Sequence, residues 1–368
     1  VQTLSVAQGT FNLARYPENK RDTLRAWDAA DEYLLHHVSA ESLPTAGSRT
    51  LILNDAWGAL STALADAAPW SMSDSFLSHR GTEANLARNG RSDSSVRLLS
   101  PLDKPDDSID LLLFKVPKSL SLLEDELHRL RPLLHAQTHI VGAGMVRDVH
   151  TSTLDLCKRL IGSTHTSLAQ KKARLIFSQL DTALDVGASP YPTAYSLEGT
   201  KLTLENAANV FSRQRLDNGT RLLLQHIPSL SGAPHIADLG CGNGVIGLVA
   251  AERIPQAELL FVDESFMAVS SARANFQHAF AERSSRFAVG DGLESSPPNS
   301  LDLVLCNPPF HRQQHPHTRQ HQPLGSLLSM AAWRGQLSRF WGPQELGRSL
   351  LRRLIRPSRI FVDLVWQH

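Results

Sequence analysis

The sequence predicts an α/β protein made of two tandem, Rossmann-like doubly wound domains. Three observations support this fold. An apolar strand, a glycine-rich turn and a helix follow one another at 236–253, and a second apolar strand occupies 301–306. The front half of the chain repeats this order of strands and acids. Strands that alternate with helices favour a parallel sheet covered by helices on both faces.

The glycine-rich turn predicts a site for a nucleoside-like ligand. Glycines at positions 240, 242 and 244 let the backbone approach a ligand without interference from a Cβ atom. Their G-x-G-x-G spacing differs from the G-x-G-x-x-G that binds a pyrophosphate. An acid before the turn would repel phosphate and attract an ammonium group. The predicted cofactor-binding residues here are Asp238, Gly240, Cys241, Gly242, Asn243 and Gly244.

Two further acids extend this predicted site. Asp263 ends the apolar run 259–262, about 20 residues beyond the turn, where an acid accepts hydrogen bonds from ribose hydroxyls. Asp291 lies between two glycines in a third loop, which we place against the edge of an adenine ring. The order of turn, acid and loop therefore predicts a zwitterionic cofactor that contains a nucleoside.

The strand at 301–306 leads directly into Asn307, Pro308, Pro309 and Phe310, the predicted catalytic residues. Open α/β sheets bind ligands at the carboxyl ends of their strands. Two prolines make the turn stiff, the phenylalanine can stack on a planar ring, and the Asn oxygen and a Pro carbonyl can accept from an exocyclic NH2. The alternative is a rigid strand-to-helix turn with a buried phenylalanine.

Together these motifs resemble class I S-adenosylmethionine-dependent methyltransferases that carry an N-P-P-F motif and methylate planar nitrogens. The segments 209–213 and 216–224 are similar to the V-F-S-R…L-D-x-G segment of the guanine-N2 ribosomal RNA methyltransferases. Segments 26–35, 51–56 and 148–154 resemble one branch, the ribosomal RNA large subunit methyltransferase G family. This resemblance runs from about residue 11 to residue 311.

The resemblance implies methyl transfer from S-adenosylmethionine to guanine N2 in 23S rRNA. It also implies that Phe211, Arg213 and Asp217 cover the cofactor. Guanine N2 lies in the minor groove of a duplex, so the target base must be unstacked or single-stranded. Alternatives that the motifs leave open are 16S rRNA guanine N2, adenine N6 and a protein glutamine, or an RNA-binding product whose catalysis is impaired.

The predicted domains differ in chemistry. Residues 1–187 form a degenerate methyltransferase-like domain for RNA binding or support, 188–200 a linker, and 201–310 the catalytic domain that binds S-adenosylmethionine. Trp57 stands where the front half should carry glycines and would fill the cofactor space, while Lys115 and Lys118 replace the Asn-Pro-Pro-Phe turn. These lysines are candidate phosphate contacts or solvated loop residues.

Residues 311–368 depart from the resemblance. They contain nine arginines, no lysine and two acids. This composition is typical of a GC-rich gene read in a shifted frame, which would leave the catalytic domain incomplete; the alternative is a genuine basic tail that contacts RNA. One strand is predicted at 359–366.

Composition adds few constraints on function. The formal net charge is only +1, so an RNA footprint must be a local patch, and Lys171, Lys172, Arg174, Arg129 and Arg131 are candidates. The three cysteines fit no zinc site, and no apolar run is long enough for a membrane span. We expect a cytoplasmic, monomeric protein without metal or membrane partners. Helices are predicted at 24–38, 58–66, 119–131, 151–161, 216–227, 245–253 and 266–280.

Overall fold

Each half of the chain is built on its own sheet, in which five neighbouring strands are parallel. The structure is a computed structural model that describes residues 1–19, 22–294 and 296–307, together with the backbone of residues 361–363. Among the described residues, no helix combines the length and the apolar character required to span a bilayer.

The front half begins with a β-hairpin and continues with alternating strands and helices. Its strands are β1 (Gln2–Val6), β2 (Gly9–Leu13), β3 (Thr50–Leu53), β4 (Trp70–Met72), β5 (Arg97–Leu99), β6 (Ile109–Lys115), β7 (Leu134–Met145), β8 (Thr164–Thr166) and β9 (Ala173–Ser178). Its helices are α1 (Ala29–Ala40), α2 (Ala59–Ala63), α3 (Phe76–Arg88), α4 (Leu120–Leu130) and α5 (Thr151–Leu160). Single 3-10 turns lie at Ala65–Ala67, Asp93–Ser95 and Arg131–Leu133.

The second half repeats this plan. Its strands are β10 (Thr193–Ser196), β11 (Thr203–Asn206), β12 (His235–Leu239), β13 (Glu258–Asp263), β14 (Arg286–Val289), β15 (Leu303–Cys306) and β16 (Phe361–Asp363). Its helices are α6 (Asn218–Gln225), α7 (Val245–Arg253) and α8 (Phe266–Ala279). Strands β10 and β11 form an antiparallel hairpin, as β1 and β2 do.

The two sheets have the same strand order, which confirms the predicted duplication. The first runs β5-β4-β3-β6-β7 in parallel and adds β9 and β8 antiparallel at one edge, whereas the second runs β14-β13-β12-β15-β16 in parallel. Equivalent side chains make equivalent bonds. Asp110 accepts from the main-chain nitrogen of Arg49 at 2.6 Å, and Asp302 accepts from that of His235 at 2.9 Å.

Both sheets bury apolar side chains on each face, as parallel sheets require. In the second half, Phe261 on β13 stacks on Phe287 with ring centroids 4.9 Å apart and meets Phe276 of α8 edge-on at 5.5 Å. A Cβ atom at Gly247 would lie 2.2 Å from the Phe261 ring, so only glycine allows α7 to pack this closely on the sheet.

The seven predicted helices are all present, with ends shifted by a few residues and α2 shorter than expected. Helix α3 was not predicted. It contains Ser78, Gly81 and Thr82, which weaken a helical pattern, but its N-cap Ser75 accepts from the Ser78 nitrogen and tertiary contacts stabilise it. The predicted linker 188–200 contains β10, which pairs with β11. The exact boundaries of the domains stay a prediction.

The predicted strand at 359–366 is present at 361–363, where β16 pairs in parallel with β15. This pairing places part of the Arg-rich tail beside β15 in the second sheet. The other tail residues lie outside the described part of the chain, so the shifted-frame hypothesis and the alternative of a basic RNA-binding tail both stay predictions.

The two halves meet through a local two-fold arrangement. The Phe76 nitrogen donates to the Glu264 carbonyl at 2.9 Å, and the Phe266 nitrogen donates to the Asp74 carbonyl at 3.1 Å. The Asp74 side chain also accepts from the Met267 nitrogen at 2.8 Å. Because these contacts join the carboxyl edges of both sheets, parts of the two halves line one common cleft.

Candidate cofactor and base site

The cleft lies at the carboxyl ends of β12, β13 and β15 and has a volume of about 1410 Å³. Its lining includes residues 239–243, Asp263, 290–292 and Asn307. The same cleft extends to Arg15, Tyr16 and Trp57 of the front half. The structure thus brings together the glycine turn, the second acid, the third loop and the start of the Asn-Pro-Pro-Phe segment.

Left-handed backbone explains the glycines of the turn. Gly240, Gly242 and Gly244 have φ values of +69°, +53° and +83°, a region that other residues adopt only with strain. A Cβ at Gly244 would meet Ala272 at 2.9 Å, so this glycine permits packing of α7 on α8. A Cβ at Gly240 or Gly242 would meet nothing within 4 Å. Gly240 and Gly242 therefore leave open space in front of the turn.

Asp263 holds the turn from the neighbouring strand. Its Oδ2 accepts from the Gly242 nitrogen at 2.9 Å, and its Oδ1 accepts from the Ser265 nitrogen at 3.0 Å. Burial raises the pKa of its carboxyl, and these backbone donors act in the opposite direction. The carboxylate lines the cleft and keeps free acceptor capacity, as a contact with ribose hydroxyls requires.

Asp238 lies beneath the turn and outside the cleft lining, which does not support the predicted contact with an ammonium group. It is fully buried, and its Oδ2 accepts from the Gly247 nitrogen at 2.8 Å, so it holds the first turn of α7. Its Oδ1 is a buried atom without a hydrogen-bond partner. Burial, followed by the nearby Asp263 charge, raises the pKa of Asp238 to about 8. Burial thus favours the protonated form, and the carboxyl faces the first turn of α7 instead of the cleft.

Cys241 and Asn243 line the cleft, but their side chains also have structural roles. The Cys241 thiol is buried, and burial raises its pKa well above the usual range, so it is not a reactive thiolate. Asn243 donates from Nδ2 to Asn206 at 2.9 Å and to the Tyr195 hydroxyl at 3.2 Å. The turn is thereby tied to the β10–β11 hairpin.

Asn307 is oriented by the first turn of α6. Its Nδ2 donates to the Thr220 hydroxyl at 2.9 Å and faces the Asp217 carboxylate at 3.5 Å. Asp217 is also the N-cap of α6 and accepts from the Gly219 nitrogen at 2.9 Å. A flipped amide would set Oδ1 against the Asp217 carboxylate, which can only accept, so the observed orientation avoids two facing acceptors. The Asn307 Oδ1 therefore remains the acceptor for a ligand.

The other predicted cofactor residues divide into two groups. Phe211, which is 71% exposed, and Asp291 line the cleft. Burial raises the pKa of Asp291, and Glu294 adds to this rise. Arg213 lies outside the lining. Its guanidinium donates to the Ala208 carbonyl at 2.7 Å and stacks over Tyr191, so its position indicates a structural role. Pro308, Pro309 and Phe310 lie outside the described residues, and their roles stay predictions.

Two candidate RNA contacts of the front half already have partners within the protein. Lys115 is neither a phosphate contact nor a solvated lysine, because its ammonium group is largely buried and pairs with Asp31 at 2.6 Å and Asp28 at 3.0 Å. Arg131 donates to four main-chain carbonyls and so holds the chain around α5.

Some of the remaining basic candidates pair with acids among the described residues, and others do not. Arg129 pairs with Asp125 at 2.7 Å and Lys171 with Glu32 at 2.8 Å, whereas Lys118 and Lys172 are exposed. Within the described ranges, no group of histidine, cysteine and acidic side chains is arranged to hold a metal ion.

Sequence reasoning missed Thr220, Arg15 and Tyr16 as cleft residues. Thr220 follows the L-D-x-G segment directly, so that segment gave a usable signal. Arg15 and Tyr16 follow β2 in a region without any motif, and only the tertiary structure brings them to the cleft.

Comparisons with known proteins identify the family of this chain. The family described as RLMG N-terminal domain matches residues 1–182, and that described as methyltransferase small domain matches residues 201–327. Two relatives are called ribosomal RNA large subunit methyltransferase G. The one from Streptomyces avermitilis is 52% identical over 313 residues, covering 83% of this chain and 81% of the relative. The one from Stutzerimonas stutzeri is 48% identical over 314 residues, covering 84% and 83%.

This chain belongs to the ribosomal RNA large subunit methyltransferase G family. A solved structure, the T. thermophilus 16S rRNA N2 methyltransferase RsmC in complex with AdoMet and guanosine, matches with a TM-score of 0.63 at 19% identity. The match covers 85% of this chain and 81% of that chain. It supports the fold of class I S-adenosylmethionine-dependent methyltransferases for this member of the family.

The residues present fit the cofactor of this family. The open space before Gly240 and Gly242 is a cradle that Cβ atoms would fill. Asp263 presents a carboxylate beside it, and Asp291 lies on the same lining. The cofactor-facing part of the cleft is therefore acidic and suits a cationic, hydroxyl-bearing nucleoside better than a phosphate.

Proposed function

We propose that this chain transfers a methyl group from S-adenosylmethionine to the exocyclic N2 of a guanosine in 23S rRNA. Family membership supports the enzyme class and the cofactor. The observation that carries the choice of an exocyclic amine as acceptor is the oriented Asn307 amide at the edge that also holds the glycine turn and Asp263. The choice of guanine in 23S rRNA is supported by family membership. The bound cofactor supplies an electrophilic methyl group.

The described residues of the site bind and align the reactants. Gly240 and Gly242 keep the cradle open, and Asp263 accepts from hydroxyl groups while it fixes the turn. Asn307 Oδ1 accepts an N2–H of the guanine, which fixes the direction of the amine lone pair. Alignment of two bound reactants accounts for most of the acceleration in such a site.

The chemistry requires no strong general base. The amine would attack the methyl carbon with its lone pair as the carbon–sulfur bond breaks and S-adenosylhomocysteine leaves. The methylated nitrogen is more acidic, so its proton is lost to solvent afterwards. We assign the two remaining contacts to Pro308 and Phe310. The Pro308 carbonyl accepts the second N2–H, and the Phe310 ring stacks on the guanine that has left the RNA stack. We further propose that the enzyme is cytoplasmic and monomeric. Light scattering on the purified chain tests the monomeric state.

Two measurements test this function. Calorimetry with S-adenosylhomocysteine should show micromolar binding that Asp263→Ala abolishes. Methyl transfer should then occur to 23S rRNA transcribed in vitro and yield N2-methylguanosine on nuclease digestion. Methylation of 16S rRNA alone, or of adenine, would overturn the proposed acceptor. Cofactor binding without any methylation would overturn the activity and leave an RNA-binding remnant.

A further inference from the structure

Arg15, Tyr16 and Trp57 form a cluster of planar side chains on the front-half wall of the cleft, here called the planar cluster. The Arg15 guanidinium lies 5.4 Å from the centre of the Trp57 ring, and that of Arg80 lies 5.9 Å from the Tyr16 ring. All three members are partly exposed and line the same cleft as the glycine turn. None of them takes part in the proposed methyl transfer.

One buried amide fixes the planar cluster in place. The Asn85 Nδ2 donates to the Ala14 carbonyl at 2.9 Å and to the Trp57 carbonyl at 2.7 Å, and its Oδ1 accepts from the Ala14 nitrogen. A Cβ atom at Gly81 would lie 2.9 Å from the Trp57 ring, so glycine is needed beneath it. The cluster is therefore preorganised on the scaffold.

The duplication relates the planar cluster to the glycine turn of the second half. Asn275 in the second half holds the Glu205 and Asn243 carbonyls as Asn85 holds those of Ala14 and Trp57. Trp57 thus occupies the position of Asn243 in the cofactor turn. The front half has replaced a cofactor-binding backbone by an indole ring at the same edge of its sheet.

Charge indicates which part of RNA this wall can bind. Among the residues that the structure describes, the cleft lining contains five acids, Asp22, Asp217, Asp263, Glu264 and Asp291, against Arg15 and Arg221. Arg15 itself pairs with Asp22 at 3.5 Å. A phosphate would meet net negative charge here, whereas a neutral base needs only a planar surface for stacking. Aromatic rings and guanidinium planes are the surfaces on which proteins stack unpaired bases.

We propose that the planar cluster is a nucleobase subsite that stacks a base next to the target guanosine. This inference rests on the proposed function for the identity of the RNA. The cleft, at about 1410 Å³, exceeds the roughly 300–1,000 Å³ of ordinary small-molecule sites, which leaves room for more than a cofactor and one base. A flanking base stacked on the cluster stabilises the unstacked strand, because it replaces stacking lost in the RNA.

The test compares cluster variants with matched controls by fluorescence anisotropy. Arg15→Ala is paired with Arg25→Ala, whose guanidinium lies 5.7 Å from Trp27 and pairs with Glu32 at 3.6 Å outside the cleft. Tyr16→Leu is paired with Tyr33→Leu. The probe is a short labelled single-stranded RNA that contains guanosine, at one fixed salt concentration and with saturating S-adenosylhomocysteine. A strand with the same phosphates but abasic sugars separates base contacts from backbone contacts.

We expect Arg15→Ala and Tyr16→Leu to weaken binding of the intact strand about tenfold, as loss of one stacked base does. The controls should stay within about twofold, and the abasic strand should bind all five proteins alike. Equal binding by cluster and control variants, a matching loss on the abasic strand, or no binding by the unaltered protein would each overturn the subsite.

Two further readouts keep this result interpretable. Calorimetry with S-adenosylhomocysteine reports whether each variant is folded, and Arg15→Ala alone decides the test if Tyr16→Leu does not fold. Methylation of 23S rRNA by the unaltered protein reports on the proposed function separately. Base-dependent binding without methylation would overturn that function and support the subsite.

Discussion

Replacing Thr220 by valine should slow methyl transfer without weakening cofactor binding. Thr220 is buried, and its hydroxyl accepts from the Asn307 Nδ2 at 2.9 Å, whereas the other neighbour, Asp217, lies at 3.5 Å. Valine keeps the shape and removes the closer acceptor. One hydrogen bond contributes about 0.5–1.5 kcal/mol. If that energy holds the amide in its productive orientation, kcat should fall between about twofold and tenfold.

The assay is methyl transfer at saturating 23S rRNA and S-adenosylmethionine, with calorimetric affinity for S-adenosylhomocysteine measured in parallel. Thr220→Ser keeps the hydroxyl and should restore kcat. Thr62→Val is the matched control, because Thr62 is also a buried helical threonine but its hydroxyl lacks a partner. Its kcat should not change.

Three results would refute this reasoning. An unchanged kcat for Thr220→Val would show that the hydroxyl does not orient Asn307. An equal loss for Thr220→Ser would assign the effect to packing of α6. Weaker cofactor binding with normal kcat would place Thr220 in support of the cofactor site alone.

Three further predictions follow from the glycine turn and from buried acids. Gly242→Ala should abolish S-adenosylhomocysteine binding. The control is Gly232→Ala, because Gly232 also has a left-handed backbone (φ +78°) and open surroundings but lies outside the cleft; it should only lower stability by about 1 kcal/mol. Equal losses of binding would show that the turn is not a cradle for the cofactor. Asp238→Asn should bind S-adenosylhomocysteine normally in calorimetry, because the carboxyl lies outside the cleft and burial favours its protonated form; a loss above about tenfold would support the ammonium contact instead. Burial raises the pKa of Glu126 from 4.5 to about 8, so the folded state holds this proton more tightly than the unfolded state. The contribution of Glu126 to stability is complete below pH 4.5 and is lost as pH rises through about 8. Denaturant unfolding between about pH 5 and pH 9 should show this decline, of at most about 5 kcal/mol, in the unaltered protein but not in Glu126→Gln. Parallel pH profiles of the two proteins would refute the prediction.

Much of the fold was predictable because it depends on local patterns. The helix predicted at 245–253 has the same ends as α7, because a glycine cap precedes the segment and its residues are apolar. The acids Asp110 and Asp302 marked equivalent strands because each bonds to the backbone beside its own sheet. Helix α3 escaped prediction because its stability comes from tertiary contacts rather than from its own sequence.

The site was less predictable than the fold because spacing does not show where a side chain points. The sequence places Asp238 beside the glycines, but the strand pleat turns it beneath α7. Lys115 looked exposed because it follows an apolar strand, and yet two acids of the α1 N-terminus, 84 and 87 residues away, neutralise it. Such pairings depend on packing of distant elements, which no local pattern reports.

The duplicated turns differ in the space that they leave for a cofactor. In the front half, Asp55 accepts from the Ser61 nitrogen at 2.8 Å, three residues after the cap Gly58. In the second half, Asp238 accepts from the Gly247 nitrogen at 2.8 Å, three residues after the cap Gly244. The anchors of the two turns therefore coincide, but the second half has a longer segment between acid and cap. That extra segment contains both glycines whose Cβ positions are open. Shortening it to the front-half length removes the cradle while strand, acid and helix stay in place. One half could thus lose cofactor binding and keep its fold, which freed its cleft wall to acquire the planar cluster.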